Sequence, residues 1–240
     1  MKSHNLVMFF CAVTCGARAA ESNFFEEQVT KGICDIHISC ERDSGQVFNE
    51  IEALYQLAGQ EEYIGEKITQ LEHALQTAQE ALNAKEYNDG IDDENVIAGL
   101  LHDIGHRCGG KNARQMDGFG IEKHEIVGAD FLKKRGFSPK IVTLVGEHVN
   151  AKRYFAFKSE DYKKTLSNAS QQTLLRQGGA MSEKEATEFE KNPYFGAILA
   201  LRKWEDKAKI VGAKTPDFEF FKTMIVDHLD KQYGYAEVFV

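Results

Sequence analysis

The sequence predicts an all-α protein, a bundle of roughly seven to nine helices. Three observations point there. Apolar residues recur at three- and four-residue steps through most of the chain after residue 46. Only three prolines occur in 240 residues, few enough to leave long helices unbroken. Strand-type alternation is weak throughout.

The elements follow in order. Val47, Ile51, Leu54, Tyr55 and Leu57 give a first amphipathic helix. Ile68, Leu71, Leu75, Ala78 and Leu82 give a second, which carries His73. The Asn88-Asp89-Gly90 run makes residues 86–93 a loop. Val96 to His102 is an apolar helix ending near Gly105, and residues 109–120 form a glycine-rich loop. Glu122 to Arg135 is a helix stopped by Gly136 and carrying His124. Ser138-Pro139 supplies an N-cap and first turn for a helix through Ile141, Leu144, Val145 and His148. Ser182 and Glu185 make a capping box for a short helix. Asn192-Pro193 opens a long one through Ile198, Leu201 and Trp204 to Lys209, and Thr215-Pro216 opens the last, through Phe221, Ile225 and Leu229.

The N-terminus differs in kind. Lys2 precedes an apolar run from Leu6 to Cys15, then Gly16-Ala17-Arg18-Ala19-Ala20. This reads as a signal segment over residues 1–20, for secretion or an organelle, with cleavage after small residues; the alternative is a disordered extension of a cytoplasmic protein. Residues 21–45 read as a loosely ordered extension, and residues 46–240 as one domain. In an oxidising compartment Cys34 and Cys40 could pair, leaving Cys108 as a buried thiol. The formal net charge is −8, which repels phosphate backbones and argues against nucleic acid as a partner. No apolar stretch reaches the roughly 18–20 residues that span a bilayer.

The chemistry concentrates in histidines. His102 and Asp103 are adjacent, and a carboxylate can bridge two metals where an imidazole cannot. His73, His102, His124 and His148 each fall on a different predicted helix among core-type residues. A lone histidine on a helix is more often a hydrogen-bonded core residue than a ligand, but four turned inward with Asp103 are satisfied together by metal. Imidazole plus carboxylate suits iron, manganese, zinc or cobalt. One dyad with one further histidine and a late acid would hold one metal; two more histidines imply a second, with Asp103 between. The late acid is expected at Glu205 or Asp206, beside Trp204. His4, His37 and His228 lack this context and read as surface residues.

Beyond the dyad stand the segments Tyr63-Ile64-Gly65-Glu66, His148-Val149-Asn150-Ala151-Lys152-Arg153-Tyr154, Gln177-Gly178-Gly179-Ala180-Met181 and Arg202-Lys203-Trp204-Glu205-Asp206. With them, from about Glu50 to Leu229, the chain resembles the HD-domain mixed-valent di-iron oxygenases that cleave organophosphonates. The resemblance implies two iron ions, Fe2+/Fe3+. One would take His73, His102, bridging Asp103 and the late acid; the other Asp103, His124 and His148. It implies that Tyr63 and Glu66 form a gate whose tyrosine occupies an iron position at rest and leaves when substrate arrives. Lys152, Ser170, Thr173, Gln177, Arg202 and His106 would hold a phosphonate, with His106 and Lys152 also placed to assist proton movement. A dianion wants such Lys, Arg, hydroxyl and amide donors. The implied reaction is O2-dependent C–P cleavage of a 1-hydroxy-2-aminoethylphosphonate, or its trimethylammonio analogue, to glycine or glycine betaine and phosphate. A trimethylammonio group favours an aromatic cage, for which Tyr154, Phe155 and Phe157 are candidates. The family usually has Asp directly after the Trp. Here Glu205 stands at that spacing and Asp206 is one residue, about 100°, further round the helix. Two rivals remain: an HD-type phosphohydrolase using a metal-bound hydroxide, and a binding protein that has lost catalysis.

Overall fold

The computed structural model describes residues 43–58, 61, 63, 65–88, 90–110 and 113–237. The expected signal segment, His4, His37 and the Cys34–Cys40 pair lie outside these residues. Among the described residues every regular element is helical, apart from one isolated bridge, Gln115 to Ile121. Eleven α-helices occur there, more than periodicity predicts. They are α1 (Ser44–Ala58), α2 (Gln70–Lys85), α3 (Asp93–Leu101), α4 (Gly105–Cys108), α5 (His124–Lys134), α6 (Pro139–Lys158), α7 (Glu160–Thr165), α8 (Asn168–Arg176), α9 (Glu183–Phe189), α10 (Phe195–Lys207) and α11 (Lys222–Glu237). The extra ones are short: α4, α7 and α8 span four, six and nine residues, too few turns for an apolar stripe to repeat. The first helix begins slightly earlier than expected, with Ser44 already helical and buried. The two late prolines act just ahead of their helices, α10 starting at Phe195 and α11 at Lys222 after a 3-10 turn at Glu219–Phe221.

Helices α2, α3, α6 and α10 pack on one another and share one apolar core with α1, α5 and α11. Three of the ligand-bearing helices start from a local signal. Thr69 and Glu72 form a capping box for α2, Asp92 and Asn95 another for α3, and the Ser138 hydroxyl accepts from the Ile141 amide ahead of Pro139 in α6. Gly99 lets α3 approach α2 closely, its side facing the Thr77 carbonyl. Gly105 sits tighter still. A Cβ there would stand 1.8 Å from the His124 carbonyl oxygen, so only glycine allows α4 to meet the start of α5. Both contacts bear on the same spot, because they fix the backbone on either side of His102 and Asp103.

His228 is not a surface residue. It is buried at 8% exposure, with its Nε2 accepting from the Ser138 amide at 3.2 Å. The capped start of α6 needed a partner for that amide, and α11 provides it. Cys108 is half-buried rather than buried.

Candidate metal centre

Four imidazoles converge on Asp103. His73 (α2) and His102, which follows α3, bring their Nε2 atoms to 3.9 and 3.4 Å from Asp103 Oδ2. His124 (α5) and His148 (α6) bring theirs to 3.2 and 3.5 Å from Oδ1. The two carboxylate oxygens thus serve opposite sides, each with its own imidazole pair. All five groups are buried.

The outer nitrogens fix the tautomers. The Nδ1–H groups of His73, His102 and His148 donate to the carbonyls of Ala208, Gly99 and Val145 at 2.7, 2.8 and 2.8 Å. A carbonyl only accepts, so in the neutral ring each Nε2 keeps a lone pair turned inward. The His124 Nδ1 lies 3.6 Å from Glu125 Oε2 and makes no hydrogen bond. The inward nitrogens then crowd: His73 and His102 Nε2 are 3.2 Å apart, and His124 and His148 Nε2 are 3.1 Å apart. Two lone pairs at that distance repel unless a proton or a metal cation lies between them. The donor set therefore fits two metal ions, one in each triad, His73-His102-Asp103 and Asp103-His124-His148.

Protonation responds to the same crowding. Burial, then the His102 charge, pushes His73 down to about 3. Burial opposes charge on His102 as well, but the neighbouring Asp103 carboxylate wins and raises it to about 9. Burial also works against the Asp103 charge, and His102 with the surrounding ring N–H groups more than offsets it.

The two candidates for the late acid differ in environment. Glu205 is buried; Oε1 accepts from Arg202 Nη1 at 2.5 Å, and Oε2 is buried with no hydrogen-bond partner. Asp206 is already committed, to Arg202 and to the Tyr162 hydroxyl at 2.8 Å. Glu205 lines the cavity beside Asp103, and Asp206 does not.

The same cavity brings together the residues expected for the phosphonate and the gate: Tyr63, Glu66, His106, Lys152, Ser170, Thr173, Gln177 and Arg202. Tyr63 stacks on His73 at 4.0 Å between centroids. His106 stacks on His124 at 4.0 Å, and its Nδ1 accepts from the Ile121 amide at 3.1 Å, which leaves its proton on Nε2. Lys152 Nζ donates to Thr173 Oγ1 at 2.9 Å. Burial, followed by the nearby Arg202 charge, lowers Lys152 to about 7. The amide oxygen of Gln177 is buried without a hydrogen-bond partner.

Two parts differ from expectation. Tyr154, Phe155 and Phe157 do not line the cavity. Tyr154 packs on Phe189 and Phe195, and its hydroxyl donates to Glu190, because α6 turns only the face of His148, Val149 and Lys152 toward the metals. Sequence reasoning also missed Lys209, whose Nζ donates to Ser170 Oγ at 3.0 Å and lies 3.5 Å from Glu66 Oε1. The only sequence signal was its place just beyond the helix carrying the late acid.

A family model described as the HD domain matches residues 71–177, which include His73, His102, Asp103, His124 and His148. The chain is 39% identical over 187 residues to an uncharacterised protein of Acanthamoeba polyphaga mimivirus, covering 78% of this chain and 83% of that one. It is 38% identical over 191 residues to the [1-hydroxy-2-(trimethylamino)ethyl]phosphonate dioxygenase (glycine-betaine-forming) of Leisingera caerulea, covering 79% and 94%. It is 36% identical over 205 residues to the hydroxymethylphosphonate dioxygenase of Gimesia maris, covering 85% and 98%.

Proposed function

The chain belongs to the HD-domain family that includes these phosphonate dioxygenases, and from that premise we propose that it is a di-iron oxygenase cleaving the C–P bond of a 1-hydroxyphosphonate. The products are a carboxylate and phosphate. The carrying observation is Asp103, whose two oxygens face separate imidazole pairs beside a cavity lined with Lys152, Arg202, Ser170 and Thr173. One half suits two metals and the other a dianionic phosphonate.

The iron pair, in the Fe2+/Fe3+ state, supplies the one-electron chemistry that lets O2 react with a closed-shell substrate. His73, His102, Asp103 and Glu205 hold one ion, and Asp103, His124 and His148 the other. The four electrons that reduce O2 come from the C1–H and C1–P bonds, so no external reductant is needed. Lys152 and Arg202 neutralise the phosphonate, while the Ser170 and Thr173 hydroxyls and the Gln177 amide complete its hydrogen bonds. The His106 Nε2–H donates toward the reacting centre or a leaving oxygen. Tyr63 and Glu66 close the cavity above His73, and Tyr63 gives way to substrate.

The test is phosphate release from the iron-loaded protein, with and without O2, from hydroxymethylphosphonate and from the trimethylammonio compound. O2-dependent phosphate is expected. Phosphate-ester hydrolysis with Zn2+ or Mg2+ and without O2 would instead make it an HD-type phosphohydrolase. Tight ligand binding with no turnover and no metal would leave only a binding protein.

A further inference from the structure

Resting on the C–P cleavage proposed above, we infer that the substrate is a small 1-hydroxyphosphonate with no cationic substituent at C1, and that Lys209 sets this preference.

Three carboxylates line it: Asp103, Glu66 and Glu205. Asp103 faces four imidazoles, and Glu205 accepts from Arg202. Glu66 is the one remaining; its Oε1 makes no hydrogen bond, and the Lys209 charge lies 3.5 Å from it. Two rings other than imidazoles line the cavity, Tyr63 and Phe119. Tyr63 is stacked on His73, with Lys209 Nζ 6.0 Å from its centroid. Phe119 carries the Arg176 guanidinium at 4.3 Å. Each feature that could receive an ammonium already has a cation of the protein's own.

A quaternary ammonium cannot donate a hydrogen bond, so it depends on aromatic faces or a carboxylate. Here it would lose its water beside Lys152, Arg202 and Lys209 and find neither vacant. A substituent of hydrogen or a small neutral group incurs no such cost. Lys209 also donates to Ser170 Oγ; with a lone pair thus occupied, the Ser170 O–H is turned to donate to the phosphonate. Lys209 therefore favours the anionic end of the substrate and opposes a cationic one. With hydrogen as the substituent the reaction balances as hydroxymethylphosphonate dianion plus O2 giving formate, hydrogen phosphate dianion and a proton.

The experiment compares kcat/KM of the iron-loaded full chain for hydroxymethylphosphonate and for 1-hydroxy-2-(trimethylamino)ethylphosphonate, in the wild type and in Lys209→Met. Calorimetric binding of two compounds that lack the hydroxyl, methylphosphonate and 2-(trimethylammonio)ethylphosphonate, gives a readout that needs no turnover. The wild type is expected to favour the member without an ammonium group in each pair at least tenfold. Lys209→Met should shift both ratios at least tenfold toward the trimethylammonio member, and Lys209→Gln serves if the Met variant does not fold. A wild type that prefers the cationic member, or ratios unmoved by either variant, overturns the inference and leaves C–P cleavage standing. No phosphate from either substrate with two irons bound sinks the cleavage reading, and the binding ratios still decide the role of Lys209.

Discussion

Glu205 and Asp206 are chain neighbours with opposite surroundings. The first ends in a buried carboxylate oxygen without a partner beside Asp103, the second in contacts to Arg202 and Tyr162. Glu205→Gln should therefore bind one metal per chain, while Asp206→Asn keeps two and loses only some grip on Arg202; metal content by elemental analysis separates them. Lys152 makes a second prediction. A hydrogen bond from a charged donor contributes roughly 1.5–3 kcal/mol, so Lys152→Met should raise KM for the phosphonate about 10- to 150-fold with metal content unchanged. Its titration has a definite sign. Burial and Arg202 lower the ammonium to about 7, so the charge that attracts an anion is present below that pH and lost above it. Methanesulfonate, whose own charge is constant, should inhibit progressively less as pH rises through about 7. In Lys152→Met that slope should vanish.

Between elements, the site depends on how closely backbones approach. Gly105 places α4 against the first turn of α5, and no other residue leaves room for the His124 carbonyl. Overpacking a core site costs about 1–3 kcal/mol, and here the atom met is backbone, which cannot swing aside. Gly105→Ala should exceed that range in denaturant unfolding. It should also weaken the Asp103-His124-His148 triad before the His73-His102-Asp103 one, because it displaces α5 and not α2; metal content falling from two toward one reports this. The helices carrying the ligands were legible from sequence because each has a capping signal or a regular apolar stripe, as in Thr69–Glu72 ahead of α2 and Ser138–Pro139 ahead of α6. Their histidines could be grouped because each fell on such a stripe. Lys209 was not legible: it follows α10 in a stretch without periodicity, and its partner Glu66 is far away in sequence. The burial of His228 was hidden for a related reason, since what buries it is an amide of another helix start. Short helices α7 and α8 left no stripe, although α8 carries Ser170 and Thr173.

At the scale of the molecule, metal is what reconciles the buried polar centre with its apolar shell. Five elements end their inward faces in His73, His102-Asp103, His124, His148 and Glu205, all buried. Without metal those groups must share protons, and the sign of each share can be worked out. His102, raised to about 9, gives the metal-free protein stability that is full below its ordinary value of 6.5 and lost as pH climbs through 9. His73, lowered to about 3, does the reverse: it favours the fold above 6.5 and destabilises it as pH falls toward 3. Metal needs both rings neutral, so loading expels the His102 proton, and affinity should rise with pH from 6.5 until it levels near 9. Metal bound to the folded chain alone, at about a thousand times its dissociation constant, stabilises by roughly 4 kcal/mol per site. For a chain of this length 1 kcal/mol moves Tm by about 2–4 °C, so removing one such ion should lower Tm by about 8–16 °C. Calorimetry with and without a chelator, repeated at pH 6.5 and 9, checks both statements. The gap in Tm should widen at the higher pH, where metal no longer competes with the His102 proton. An equal gap at both would mean that His102 is already neutral before metal arrives, and that Asp103 is held by other donors.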